Sequence, residues 1–273
     1  MSGNLSESSA YLTVPSSLVR MSILGVDIHS GPVNSILESM ERLSQHSNSA
    51  YVNFVNVHMV MEARRDPKFA EIVNRADLNC PDGLPIAKSI GWFYAIRQRQ
   101  VAGPDTLPLL LLIAHQTRKK VFVLGSTPEV LRAFELRAID QFGPEILCGT
   151  YSPPFRELTQ EEDDALVDRI NSSKADMIFV ALGCPKQERW MAAHKGRVQG
   201  CMFGLGYAIP VYAGRASRAP RWMIERGLEW LFRLSSDPRR LFVRYAKTNS
   251  AFLISVFREL SQRKNRRPPR TAI

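Results

Sequence analysis

Two stretches of this chain share a pattern that few folds accommodate. Each is a wholly apolar run that ends in glycine and passes at once into the signals that open a helix. In the first, VFVLG (121–125) leads into STPEVLRAF; in the second, MIFVALG (177–183) leads into CPKQERWM. A strand that is apolar at every position has no solvent face, so both its sides must be covered. Thr127 is placed to cap the helix that Pro128 begins, since threonine accepts from the first free N–H groups and proline fits the first turn. Strands of this kind alternating with helices specify a parallel sheet with helices on both faces, a Rossmann-like α/β fold.

The rest of the body follows the same alternation. Residues 21–26 and 50–55 read as strands, with helices at 32–43, 57–64 and 67–75. A loop is expected at 79–82, a helix at 84–90, and a strongly apolar helix at 106–116. A short strand at 145–148, a Pro-rich loop at 151–155, an acidic helix at 160–172 and a buried strand at 200–205 complete the pattern. The chain is 273 residues long and 45% hydrophobic, enough for one large domain or a domain with an appendage. No apolar run approaches the roughly 20 residues needed to span a bilayer. The Ser-rich N-terminus lacks the hydrophobic run of a secretory signal. Cys80, Cys148, Cys184 and Cys201 form no CxxC pair, which points to reduced thiols and a cytoplasmic setting. The five histidines show no metal-ligand spacing, and no metal or cofactor is expected.

Charge is distributed unevenly. Residues 213–273 carry 15 Lys/Arg against 4 Asp/Glu, whereas the preceding 212 residues carry 21 against 22. A neutral body with a basic end suits phosphate, nucleic acid or an anionic membrane. Apolar residues thread the basic region: positions 241, 245, 252, 256 and 260 recur at helical spacing, and Arg240, Arg244 and Lys247 form a separate stripe. Such a helix can lie on a bilayer surface or pack its apolar stripe on the core. Periodicity does not distinguish the two. The expected organisation is a flexible segment at 1–20, a Rossmann-like body at 21–212, a basic helical appendage at 213–260 and a disordered basic tail at 261–273.

In parallel sheets ligands bind beyond the carboxyl ends of the strands. That rule selects Asn56, Asp82, Gly125 to Thr127, Gly183 to Glu188 and Gly204 to Gly206. The two βα turns offer backbone N–H groups at helix starts, suited to a phosphate or a sugar hydroxyl; neither matches a Walker loop or GxGxxG. Lys186, Gln187 and Glu188 are three long polar groups directly behind a buried strand. As a plain solvated first turn, Glu188 would be favoured there by the helix dipole. Asp82, in NCPDGLP, is either a turn aspartate serving its own backbone or a base at a strand end. The chain has no Asp-x-Asp, the motif with which many nucleotide-sugar transferases hold a metal on the diphosphate. A diphosphate here would fall to Arg and Lys.

Taken in order, ILGVDI (23–28), Asn56 with ARRDPKF (63–69), PDGLPIAKSIGW (81–92), VAGPDTLP (101–108), VFVLGSTPEV (121–130), ADMIFVALGCPKQERWM (175–191), AGRASRAPRWM (213–223), GLEWLFRL (227–234) and DPRRLFVRY (237–245) resemble the WecG/TagA/CpsF family of bacterial glycosyltransferases. The resemblance covers nearly everything from 21 to 252, and GxPKQE followed by RAP and EWxxRL is a specific combination. It implies a transferase at the cytoplasmic membrane face that moves a sugar from a UDP-sugar to a polyprenyl-diphosphate-linked saccharide, inverting the anomeric centre without a metal. The family's general base corresponds to Asp82 and its PKQE glutamine to Gln187. The arginines of its C-terminal appendage correspond to Arg233, Arg240 and Arg244, with Arg239 adjacent.

Substrate-binding candidates are therefore Asn56, Gly83, Gly125, Gly183, Lys186, Gln187, Glu188, Gly206, Arg233, Arg239, Arg240 and Arg244, with Asp82 catalytic. The expected partners are a UDP-sugar, the lipid-linked saccharide and the anionic inner surface of the plasma membrane; no nucleic acid is expected, and a homo-oligomer is left open. Three positions depart from the family pattern: Phe54 replaces a threonine, Gln100 an arginine, and Ile209-Pro210 a Phe-Asp pair. All three lie where sugars are expected to be read, so an N-acetylmannosamine donor is not assumed. Two other readings stand beside this one: a soluble sugar-nucleotide enzyme without a lipid acceptor, and a nucleic-acid binder using the basic end. The latter matches no helix-turn-helix, zinc-finger or RNA-recognition signature.

Overall fold

The computed structural model describes residues 18–45, 48–236 and 238–265; the side chains of 233, 236, 238–247, 264 and 265 lie outside the description. The chain opens with an antiparallel hairpin of β1 (Val19–Ile23) and β2 (Val26–Ser30). Leu24 and Gly25 join them with φ of 53° and 87°, two left-handed residues in the twist that two-residue hairpins favour. The single strand expected at 21–26 is thus a hairpin, because its Leu-Gly is the turn.

Helix α1 (Val33–Leu43), β3 (Ser49–Val55), α2 (Val57–Arg65) and α3 (Pro67–Asn74) follow. The stretch expected to be a loop at 79–82 contains instead the end of a fourth strand, β4 (Leu78–Pro81). Its four residues carry two poor strand formers, Asn79 and Pro81, yet they pair with Val52 to Val55 in parallel register. Next come α4 (Leu84–Tyr94), α5 (Gly103–Gln116), β5 (Val121–Gly125) and α6 (Pro128–Phe142). They are followed by β6 (Leu147–Tyr151), α7 (Gln160–Ser172), β7 (Met177–Ala181), α8 (Lys186–His194) and β8 (Gly200–Gly204). The six main strands form one parallel sheet in the order β4-β3-β8-β7-β5-β6.

Alternation along the strands builds two cores. Val52, Phe54, Val123, Phe179 and Phe203 point to one side, where α1, α5, α6 and a short helix α9 (Ala208–Tyr212) cover them. Tyr51, Phe122, Ile178, Val180 and Met202 point to the other, beneath α7 and α8. Phe54, where the family pattern expects threonine, is therefore a core residue on the α5 side.

A third cluster answers the question that periodicity left open about the basic helix. After α10 (Arg221–Glu225) and α11 (Glu229–Ser236), helix α12 runs Pro238–Asn265. Its Phe252 and Val256 are fully buried against the hairpin, α2 and α4, with Leu260 packed beside them. Burying two such side chains contributes about 1.5–3 kcal/mol each, so this half of α12 is fastened to the body. Its other flank leaves Leu253, Ile254 and Phe257 exposed, the last two more than 60%. Arg263 is held rather than free: it pairs with Glu259 at 2.8 Å and lies 4.5 Å over the Phe93 ring. The helix thus continues five residues into the stretch assigned from sequence to the tail. Among the described residues no helix is long and apolar enough to cross a membrane.

Candidate functional site at the carboxyl edge of the sheet

Asn56, Asp82, Gly125, Gly183 and Gly206 all fall just beyond, or at the end of, parallel strands, so the fold gathers them along one edge. Asp82 follows β4 directly. Its N–H donates to the Val55 carbonyl at 2.9 Å, carrying the ladder one residue past the strand. Gly83, at φ 86°, then turns the chain into α4. The Asp82 carboxyl is half-buried and close enough to Cys80 to add to the burial that holds that thiol well above its ordinary range. Cys80 is accordingly an inert neutral group.

Asn56 caps α2: its Oδ1 accepts from the Met59 N–H at 3.1 Å, while its amide nitrogen takes no part in the cap. Gly125 is fixed by packing, since a Cβ there would sit 2.5 Å from the Ala181 carbonyl oxygen. Gly183 has left-handed φ and nothing within 4 Å of a Cβ position, so it borders open space. Lys186 is exposed at the first position of α8.

The two residues after Lys186 are not solvated. Gln187 is 5% exposed and Glu188 0%. The Gln187 Nε2 donates to Glu188 Oε1 at 2.8 Å and to the Gly204 carbonyl at 3.1 Å. Two acceptor oxygens, Gln187 Oε1 and Glu188 Oε2, are buried without a hydrogen-bond partner. Burial pushes the Glu188 carboxyl above its ordinary value, opposed by the Gln187 hydrogen bond. Gly206 brings its backbone to this amide: a Cβ there would lie 3.2 Å from Gln187 Oε1.

Sequence patterning did not single out the polar pair beneath this region. Asn53 on β3 and Asn79 on β4 are buried neighbours in register. Asn79 Nδ2 donates to the Asp27 and Val73 carbonyls, both at 2.8 Å, which turns its Oδ1 toward Asn53 Nδ2 at 3.0 Å. The Asn53 Oδ1 then points away with no partner. Asn79 N–H donates to His29 Nδ1 at 3.0 Å. Burial, with the Arg20 guanidinium nearby, lowers His29 to about 4, so its ring is neutral at neutral pH. Only strand pairing reveals this group; the signal in sequence was a polar residue inside each strand.

The appendage is latched near the same edge. Arg218 grips Asp105 through two 2.6 Å hydrogen bonds, and Tyr207 donates to the Ser217 carbonyl at 3.1 Å. Gly227 lies against Leu84, two residues from Asp82. Arg233 is on α11 and Arg239, Arg240 and Arg244 are on α12, but their side chains lie outside the described residues. The structure therefore places Asn56, Asp82, Gly83, Gly183, Lys186, Gln187, Glu188 and Gly206 along one edge of the sheet, with Gln187, Glu188 and Gly206 in direct contact. It accounts for Gly125 by backbone contact.

A family model described as glycosyl transferase WecG/TagA/CpsF family matches residues 21–266. An N-acetylglucosaminyldiphosphoundecaprenol N-acetyl-beta-D-mannosaminyltransferase of Staphylococcus aureus (strain MW2) is 30% identical over 229 residues, covering 83% of this chain and 88% of that protein. The proteins of the same name from strains NCTC 8325 / PS 47 and MRSA252 match with the same identity and coverage.

Proposed function

The chain belongs to the glycosyl transferase WecG/TagA/CpsF family, and on that premise we propose that it transfers a sugar from a UDP-sugar to a saccharide carried on polyprenyl diphosphate. The single observation that supports this best is the position of Asp82: a half-buried carboxyl at a strand end, on the same sheet edge as the polar start of α8. In the proposed reaction the acceptor hydroxyl attacks the anomeric carbon from the face opposite UDP. Its proton passes to the Asp82 carboxylate as the new glycosidic bond forms and the bond to UDP breaks, so the anomeric centre inverts. The leaving diphosphate carries its charge to Arg233, Arg239, Arg240 and Arg244 of the appendage and to N–H groups at the helix starts. Metal independence is part of the proposal and rests on the missing Asp-x-Asp.

The relatives' printed name specifies a mannosaminyl donor and an N-acetylglucosaminyl-diphosphoundecaprenol acceptor. We carry over the lipid-linked acceptor class and leave the donor sugar open, because Gln100 and Pro210 depart from the family pattern; Phe54 and Ile209, expected from the sequence to lie where sugars are read, are buried core residues instead and carry no argument about the donor. Peripheral association with the cytoplasmic membrane face belongs to the same proposal, supported by the basic end and by Leu253, Ile254 and Phe257 on the free flank of α12.

Incubating the protein with a panel of UDP-sugars and polyprenyl-diphosphate monosaccharides should yield a lengthened lipid-linked saccharide for one pair. Asp82→Asn should retain the fold and UDP affinity while lowering turnover about 10²-fold or more. Turnover within about threefold of wild type would remove Asp82 from the mechanism.

A further inference from the structure

A groove of about 420 Å³ opens where the last part of α12 runs past the end of α2, lined by Arg64, Ser255, Arg258, Glu259, Gln262 and Arg263. The four α12 residues before Arg263 fall at i, i+3, i+4 and i+7, one stripe of the helix, with Arg64 of α2 across from them. Phe252 and Val256, buried against α2 and α4, fix the two walls relative to each other. Arg64 stands eight residues beyond Asn56, the cap of α2, or about 12 Å along the helix. The groove is therefore set back from the carboxyl edge of the sheet and shares no residue with the candidate site there.

Its charges do not balance. Three guanidinium groups line it against one carboxylate, an excess of two positive charges. Glu259 is committed to Arg263 at 2.8 Å, and Arg263 is also held over the Phe93 and Tyr94 rings at 4.5 and 5.2 Å. Among the described residues neither Arg64 nor Arg258 has an ion-pair partner. Like charges gathered in one recess repel, and an anion relieves that repulsion. The donor types narrow the anion. Each guanidinium is a planar fork that suits two oxygens of an oxyanion. A carboxylate has oxygens for one fork, whereas a phosphate has enough for both arginines, with the Ser255 hydroxyl and the Gln262 amide beside them.

We infer that this groove binds the phosphate group of a small phosphate ester, with Arg64 and Arg258 as its ligands, and that the bound anion staples α12 to α2. The inference does not depend on the transferase reading, since its residues take no part in that site. Two sources carry such a group, a free phosphate ester and a phospholipid headgroup, and the experiment separates them.

The full chain is titrated calorimetrically with inorganic phosphate and glycerol phosphate, and sedimented with phosphatidylcholine vesicles with and without phosphatidylglycerol, all at fixed ionic strength. The melting temperature is followed with and without phosphate. Arg64→Gln and Arg258→Gln should each weaken binding about tenfold or more, the usual scale for a lost charge-assisted hydrogen bond. Arg64→Lys and Arg258→Lys should recover only part of it, because they keep the charge and lose the fork. Glu259→Gln removes the opposing carboxylate and should tighten binding about threefold, a gain that misfolding does not produce. Arg132→Gln, an equal charge loss on the exposed face of α6, should change nothing. Phosphate should raise the melting temperature of wild type and not of Arg64→Gln.

Arginine-dependent binding of the soluble phosphates assigns a free ester to the groove; the same dependence seen only with phosphatidylglycerol vesicles assigns a headgroup, and either outcome supports the site. Equal losses in Arg132→Gln and Arg64→Gln, or full recovery in the Lys variants, would reduce the groove to diffuse surface charge and overturn the inference. Binding that survives Arg64→Gln and Arg258→Gln but falls in Lys186→Gln would put the anion at the start of α8 and overturn it too. So would the absence of binding in every arm.

Discussion

The turn from β5 into α6 and the turn from β7 into α8 are written almost alike, LGSTPE at 124–129 and LGCPKQE at 182–188. The first closes on itself. Thr127 accepts from the Val130 N–H at 3.4 Å, Ser152 donates to the Ser126 carbonyl at 2.7 Å, and Gly125 is pressed against Ala181. The second has no side-chain cap, a glycine facing open space, and two buried acceptors without partners. A turn whose groups are satisfied within the protein is architecture. One that buries acceptors and leaves them unpaired is where the proposed reading puts substrate, and that difference separates the two turns where their sequences do not.

The largest expected effect tests the glycines. Gly125→Ala combines φ of 101° with a Cβ 2.5 Å from the Ala181 oxygen. A left-handed residue costs about 1–2 kcal/mol and forced overpacking about 1–3, so urea unfolding should show a loss of about 2–5 kcal/mol. Gly183→Ala carries only the conformational cost, about 1–2 kcal/mol, since nothing lies within 4 Å. Equal losses at the two positions would break the contrast between a packed turn and an open one.

The limits of the sequence follow the same line. The start of α6 was legible because a capping threonine and a proline follow an apolar strand, the helix at 160–172 because acidic residues fill its first turn, and the start of α8 because Pro185 follows an apolar strand. The hairpin was not, because Ile23, Leu24, Gly25 and Val26 read as one apolar run until both turn residues are seen at positive φ. β4 was missed because four residues with an Asn and a Pro have no strand signature; only pairing with β3 makes them one. Asp82, Gln187 and the rest of the edge came from motif positions at strand ends. Asn53 and Asn79 could not, since their meeting depends on the register between two strands. The basic helix was ambiguous for a related reason: one periodicity serves both its buried Phe252 and its exposed Phe257.

A smaller effect should come from the cap. Thr127→Ala removes the side chain that accepts from Val130 and should lower stability by about 1 kcal/mol. Because the contact serves helix α6 alone, transferase kinetics should change no more than the stability loss explains. A selective rise in KM for the donor at unchanged stability would mean that this turn also touches substrate, and the contrast would narrow.

The smallest effect has a sign that differs between the turns. Glu129 lies in the first turn of α6, exposed, and its own backbone N–H and then the Thr127 hydroxyl hold its carboxyl below the ordinary value of 4.5. Its folded form therefore releases the proton more readily than the unfolded chain, so its contribution is present above about pH 4.5 and is lost as pH falls through the lowered value. Glu188 is the reverse. Burial raises its carboxyl above 4.5, the folded state holds the proton more tightly, and its contribution is complete below 4.5 and lost as pH rises through the raised value. Thermal unfolding of wild type, Glu129→Gln and Glu188→Gln across pH 3 to 8 should separate the two. Glu129→Gln should lessen the loss on the acid side, and Glu188→Gln should lessen the decline above 4.5 while leaving the acid limb unchanged. If Glu188→Gln instead altered only the acid limb, the Glu188 carboxyl would be ionised and satisfied in the folded protein, and the second turn would be as closed as the first.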